Sequence, residues 1–232
     1  RPPLSHLSHQ PRSTMTAIAE KVVSAKNSAH DPPRTFVLMG IDGAGKSTMA
    51  DRIGKYFGEK GRTIEFTREP GGTQISEKIR ELILDRDNIE MDYRTEALLY
   101  AASRAQLVSE KIIPWLKEGK IVISERYVYS SLVYQGLGRG LGIEEVKKIN
   151  DFATAGIKPD LVILLDVDPE KALKRKLCID GGDRLENEDI SFHRSVYEGY
   201  KELSSHFPEI ITIDGERTID EIFEEIKGLL TI

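Results

Sequence analysis

The chain has 232 residues, 39% of them hydrophobic and 31% charged, and a formal net charge of −5. That length suits one α/β domain with a filled core, no apolar run nears the ~18 residues of a bilayer span, and the acidic balance argues against wholesale nucleic-acid binding. One cysteine, Cys178, excludes an intrachain disulfide and a cysteine-rich zinc site, and the five histidines lack ligand spacing, so a soluble protein of a reducing, cytoplasmic compartment is expected.

Residues 1–34 stand apart. The first 19 hold no Asp or Glu and are rich in Ser, Pro and His, a bias shared with transit segments. They read as a disordered N-terminal extension, or as an organellar targeting segment, ahead of one domain over 35–232. From Thr35 onward short β-rich runs alternate with longer helical patterns. Thr35–Met39, Thr63–Thr67, Ile121–Ile123, Leu161–Leu165 and Ile210–Ile213 read as strands, most of them apolar throughout, as parallel strands covered on both faces are. Ser47–Glu59, Gln74–Leu84, Thr95–Lys117, Glu144–Ala155, Glu170–Leu177, Ile190–Ser205 and Ile219–Leu230 read as helices. Asp168-Pro169-Glu170 gives one of them an N-cap, a proline at its first position and an early acid. The expected fold is α/β, a doubly wound five-stranded parallel sheet with helices on both faces.

Gly40-Ile41-Asp42-Gly43-Ala44-Gly45-Lys46-Ser47, followed by Thr48, matches the eight-position Walker A pattern between the first strand and the first helix. In that context the backbone N–H groups of the turn converge on phosphates, Lys46 reaches the β- and γ-phosphates, and the Ser47 hydroxyl takes a place on Mg²⁺. A P-loop NTPase fold is therefore expected. No Asn-Lys-x-Asp tetrapeptide occurs, which points to ATP rather than GTP as the donor.

Arg68 follows the second strand, Arg80 lies in the next helix and Arg126 follows the third strand. In an open α/β sheet the carboxyl ends of the strands form the ligand crevice, so these cations gather where phosphates must lie. Tyr100 and Arg104, four residues apart, share a helix face; facing the crevice, Tyr100 stacks on a pyrimidine while Arg104 donates to a base carbonyl. Lys174-Arg175-Lys176 and Asp183-Arg184 flank Gly181-Gly182, the pattern of a basic mobile flap.

Four segments sharpen this reading. They are Arg68-Glu69-Pro70-Gly71-Gly72-Thr73, Tyr100-Ala101-Ala102-Ser103-Arg104, Glu125-Arg126-Tyr127 through Tyr134-Gln135-Gly136-Leu137-Gly138-Arg139-Gly140, and Phe152-Ala153-Thr154 through Pro159-Asp160-Leu161. With the P-loop they resemble the bacterial or archaeal thymidylate kinases over about residues 35–230. The resemblance implies a homodimer that transfers the γ-phosphoryl group of ATP to dTMP with Mg²⁺. Acceptor binding would fall to Asp42 at the sugar 3′-hydroxyl, Arg68, Glu69, Arg80 and Arg126, with Tyr100, Arg104, Gln135, Ser130 and Ser131 around the base. Gly43 matches the arrangement in which the catalytic cation comes from the lid, as Arg175 or Arg184, beside Lys46 and Arg126.

Two positions depart from the family pattern. Met39 stands where a Glu is frequent, and Glu125 replaces the usual Asp beside Arg126, where a carboxylate supports the metal with Ser47. Glu125-Arg126 also resembles the deoxynucleoside kinases, which would make thymidine the acceptor. That chemistry needs a general base, usually in a Glu-x-Trp context, and the one tryptophan, Trp115, lies elsewhere. A nucleotide-binding protein without catalysis is the third reading, and Lys46, Ser47 and Arg126 count against it.

Overall fold

A computed structural model describes residues 35–177, 183–185 and 187–230. The N-terminal extension and the Gly181-Gly182 pair of the flap fall outside the described residues. Strands β1 (Thr35–Met39), β2 (Ile64–Arg68), β3 (Ile121–Glu125), β4 (Leu161–Asp166) and β5 (Ile210–Asp214) form one parallel sheet in the order β2-β3-β1-β4-β5. The three central strands are buried on both faces and the edge strands β2 and β5 are partly exposed, which is why the central runs are apolar without alternation.

The chain leaves β1 toward β2 on one side and β3 toward β4 on the other, so the switch point of the sheet lies at the carboxyl end of β1. Leu38 pairs with Glu125 on one side and Ile163 on the other. This register brings the ends of β1 and β3 level: the Arg126 N–H donates to the Leu38 carbonyl at 2.8 Å. The turn after β1 and the residue after β3 therefore share one crevice.

Helix α1 (Lys46–Glu59) follows the P-loop and α2 (Gln74–Leu84) is capped by Thr73, whose side chain accepts from the Ser76 N–H. Helix α3 (Tyr93–Leu107) starts two residues before the expected Thr95, because Asp92 caps it through the Arg94 N–H. A π segment (Val108–Ile112) and α4 (Ile113–Lys117) continue it. Pro114 explains the break: a proline inside a helix lacks the N–H and crowds the carbonyl four residues earlier, and the widened turn ahead of it relieves both.

Helix α5 (Val128–Ser131) and a second π segment (Leu132–Gly138) occupy a stretch not expected to be helical. The remaining helices are α6 (Ile143–Ala153), α7 (Pro169–Leu177), α8 (Ile190–His206) and α9 (Ile219–Leu230). Asp168 caps α7 as anticipated, its carboxylate accepting the N–H of Glu170 and of Lys171. Phe36, Leu38, Ile53, Ile123 and Ile163 are fully buried where helices meet the sheet, each worth about 1.5–3 kcal/mol of apolar burial.

Candidate active site

A cavity of about 730 Å³ opens at the carboxyl ends of the strands, lined at its floor by Asp42 to Thr48. Gly45 caps α1 in a left-handed conformation (φ 92°) with no side chain bonded to the helix terminus. The first-turn N–H groups, which have no partner within a helix, are thus left for an anion. Ser47 and Thr48 are exposed at the mouth. Lys46 is 7% exposed and folded back, donating to the carbonyls of Gly40 at 3.2 Å and Ile41 at 2.9 Å. Burial, with Arg126 nearby, pulls its pKa down to about 8.

Gly43 sits against α7. A Cβ there would lie 2.2 Å from the Ala172 carbonyl oxygen, and φ is +84°, so no side chain fits. The bare glycine lets α7 close on the P-loop and brings Arg175, one turn after Ala172, to the cavity wall.

Asp42 accepts from Arg126 Nη2 at 2.8 Å and lies 3.5 Å from Lys46 Nζ. Arg126 is held in the left-handed region (φ 68°), a sparsely populated conformation for a non-glycine residue. Tyr200 and Tyr134 accept from it at 3.1 and 3.4 Å, and its guanidinium lies 5.2 Å from the Tyr134 ring centre. Burial disfavours its charge, but Asp42, Tyr134 and Tyr200 together outweigh that and hold its pKa well above the ordinary arginine value. Ser130 Oγ meets the Tyr200 hydroxyl at 3.0 Å, so Ser130 belongs to the shell that fixes Arg126.

Across the cavity, Arg68 and Arg80 both donate to the Pro70 carbonyl, at 3.1 and 2.9 Å. Burial and the neighbouring Arg68 lower the Arg80 pKa against the pull of Glu77, which pairs with Arg68 at 3.2 Å. Tyr100 is half-buried and lines the same space; it is not a core aromatic. Arg104 is 2% exposed: Nε and Nη2 donate to Glu69 Oε2 at 2.8 and 2.5 Å, and Nη1 to Ser131 Oγ at 3.2 Å and to Asn150 Oδ1. Of its five hydrogens, one on Nη2 is left for a ligand. Burial pushes the Glu69 carboxyl up despite Arg104, and Glu69 Oε1 has no hydrogen-bond partner among the described residues. Gln135 lines the cavity, with Nε2 donating to Glu96 Oε1 at 2.9 Å.

The two lid arginines are placed differently. Arg175 is exposed and lines the cavity. Arg184 turns beneath it, donating to the Ile83 carbonyl at 2.8 Å and to Glu96 Oε2 at 2.6 Å.

Among the described residues no group of three or more His, Cys, Asp or Glu is placed to hold a metal. The cavity offers the Ser47 hydroxyl with the carboxylates of Asp42 and Glu125. That set fits Mg²⁺, which takes one or two protein oxygens along with phosphate oxygens and water.

Sequence reasoning passed over Glu96, Tyr134, Asn150 and Tyr200, and also Gly215, Arg217 and Ile219, which line the cavity after β5. The rule that singled out Arg68 and Arg126 at strand ends applies equally to Arg217. No comparable signal marks Glu96 or Asn150, charged or polar residues inside helices that read as solvent-facing.

The thymidylate kinase family model matches residues 38–226. A thymidylate kinase of Finegoldia magna is 53% identical over 191 residues, covering 82% of this chain and 94% of the relative. Thymidylate kinases of Clostridium novyi (49% identity; 84% and 97% covered) and Caldicellulosiruptor saccharolyticus (44%; 84% and 94%) are similar over the same span. With a P-loop at the switch point of a parallel sheet, an arginine at the end of β3 and sequence identity of this extent, the chain belongs to the thymidylate kinase family.

Proposed function

We propose that the chain transfers the γ-phosphoryl group of ATP to dTMP, giving ADP and dTDP, with the P-loop holding the donor and the opposite wall holding the acceptor. The observation that carries this is the convergence of Lys46, Arg126, Arg68, Arg80 and Arg175 on one cavity with Tyr100. A monophosphate already carries an ionised oxygen, so its attack needs charge neutralisation and alignment rather than a general base.

The α1 N-terminus, Ser47 and Thr48 bind the donor phosphates, and Lys46 leaves the Gly40 and Ile41 carbonyls for the β- and γ-phosphoryl oxygens. Ser47 and Glu125 would hold Mg²⁺, Ser47 through its hydroxyl and Glu125 through its carboxylate, and the ion would supply charge neutralisation at the phosphates. Arg68, Arg80 and Arg126 take the acceptor phosphate. Asp42, which orients Arg126, also accepts from the sugar 3′-hydroxyl. Tyr100 stacks on the base, the remaining Arg104 hydrogen meets a carbonyl oxygen, and Gln135 reads the base edge while Ser131 and Glu69 hold Arg104. Arg175 supplies the cation at the transferring group. Its place at the cavity wall, on the helix that closes on Gly43 through Ala172, supports it over Arg184, whose guanidinium is committed to Glu96.

We also read the exposed side of α2, α3 and α6 as a homodimer face, since these adjacent helices leave Leu82, Leu98 and Phe152 at 52%, 56% and 89% exposure. Further along the same helical run, Leu107, Val108, Ile112 and Ile113 go instead into the core. No helix of the described residues is long and apolar enough to cross a membrane, and the single Cys178 supports a reducing, cytoplasmic setting, or an organellar one where residues 1–34 act as a transit segment.

A coupled ADP-release assay with dTMP, with thymidine and with no acceptor tests the activity. Turnover with dTMP alone is expected. Turnover with thymidine in its place would assign a nucleoside kinase, and none with either would assign a binding protein.

A further inference from the structure

Glu96, Tyr100 and Arg104 follow one another at intervals of four along α3 and so share a face. Glu96 is fully buried. Its carboxylate accepts from Gln135 Nε2 at 2.9 Å, from Arg139 Nε and Nη2 at 3.3 Å each, and from Arg184 Nη2 at 2.6 Å. Burial alone would raise its pKa, but Gln135 and the two guanidinium groups outweigh burial and hold it below the usual carboxylate range. Glu96 is thus ionised, and an ionised carboxylate only accepts.

That chemistry fixes a neighbour. Gln135 is 1% exposed, and its amide can meet Glu96 only with the NH₂ end. The other terminal atom, the carbonyl oxygen, takes no hydrogen bond from the described residues, and Gln135 lines the cavity.

We propose that Glu96 is a positioning residue for base selection: by holding the Gln135 NH₂ group through one of its hydrogens it leaves the Gln135 carbonyl oxygen for the acceptor base, which then must offer a hydrogen at N3. Thymine has that hydrogen. Cytosine presents a lone pair at N3, and two acceptors facing each other in a buried site are strongly disfavoured. Arg139 and Arg184 keep Glu96 charged, so the polarity of the Gln135 amide cannot invert. The proposal rests on the reading that Gln135 meets the base.

The test compares kcat/KM for dTMP and dCMP in the wild-type enzyme and in three variants. Glu96→Gln offers an amide that can accept or donate, so Gln135 is free to turn over; the dTMP-to-dCMP ratio should fall at least about tenfold, chiefly through a higher KM for dTMP. Glu96→Asp keeps the acceptor-only charge and should stay within about threefold of the wild-type ratio. Equal proportional losses for both nucleotides in Glu96→Gln would overturn the proposal, because a role limited to anchoring Arg139 and Arg184 moves both alike. Gln135→Leu separates the two layers. An unchanged ratio in that variant means Gln135 does not read the base; a collapsed ratio there with none in Glu96→Gln removes only the role of Glu96. Since Glu96→Gln takes the Glu96 charge from Arg184 and leaves Arg139 paired with Glu188, neutron diffraction from wild-type crystals with dTMP provides a test without a variant. Gln135 deuterons directed at Glu96 support the proposal, and deuterons directed at the base overturn it.

Discussion

At the donor end of the cavity the groups aimed at phosphate come from one stretch, Gly40 to Thr48, while at the acceptor end Arg68, Arg80, Tyr100, Arg104 and Gln135 come from four elements tied by buried ion pairs. The donor end rests on backbone: a left-handed Gly45, a Gly43 with no room for a side chain, and uncapped helix amides. The acceptor end rests on side chains that hold other side chains, Glu69 on Arg104 and Glu96 on Gln135. A phosphate is recognised by charge and oxygen geometry that any nucleotide shares, so a local turn suffices. A base is recognised by the polarity of single atoms, which requires donors and acceptors locked from behind.

The sharpest way to break this comparison is at Lys46. Lys46→Ala should lower kcat by about 10³-fold or more with unchanged circular dichroism, because it removes the P-loop cation at the donor phosphates; an enzyme retaining most activity would mean the backbone cradle works without it. Arg175→Ala should cost about 10²-fold in kcat. Arg184→Ala is the control from the other end: it unpairs part of Glu96 and should show in thermal stability and nucleotide selectivity before it shows in kcat with dTMP. An Arg184→Ala loss in kcat exceeding that of Arg175→Ala would exchange their roles.

Glu125 stands between the two ends, closing β3 beside Arg126. Glu125→Asp should keep kcat within about tenfold and Glu125→Gln should lose more, with a raised Mg²⁺ requirement, since charge at this position supports the metal-bound water more than reach does. Wild-type kcat and an unchanged Mg²⁺ titration in Glu125→Gln would leave it a structural residue.

The same division governed what could be read from sequence. Strand runs such as Leu161–Asp166 were legible because burial on both faces leaves no polar interruption, and the P-loop because its chemistry is contiguous. The helical stretch from Val128 to Gly138 was not. Its Gly136 and Gly138 and its β-branched and aromatic residues carry little helical preference, and packing holds it instead: Val133 is fully buried, and a Cβ on Gly199 of α8 would come within 3.1 Å of it. Arg184 read as a lid cation because sequence shows charge and hides its partner, here Glu96 from 88 residues away. Tyr100 was legible, because its spacing of four from Arg104 puts both on one helix face, and both line the cavity.

The smallest expected effect concerns what the donor end costs the fold. Lys46 is buried, and burial with Arg126 nearby lowers its pKa from 10.5 to about 8. Below pH 8 both folded and unfolded chains carry the proton, and the nucleotide-free fold bears a constant penalty for the buried charge. Between about pH 8 and 10.5 the unfolded chain holds more protons at this site than the folded one, so the Lys46 contribution to stability rises with pH across that window. Lys46→Met keeps the apolar stem and removes the titration. The variant should therefore be more stable than the wild type at pH 7, by about 1 kcal/mol or more, and its advantage should shrink steadily from pH 8 to pH 10. Urea unfolding of both proteins without nucleotide or metal, at several pH values, reads this as a difference in which the other titrating groups cancel. An advantage that is absent at pH 7, or that does not narrow as pH rises, would mean the Gly40 and Ile41 carbonyls and Asp42 compensate the charge fully, and that the donor end holds its cation at no cost to the fold.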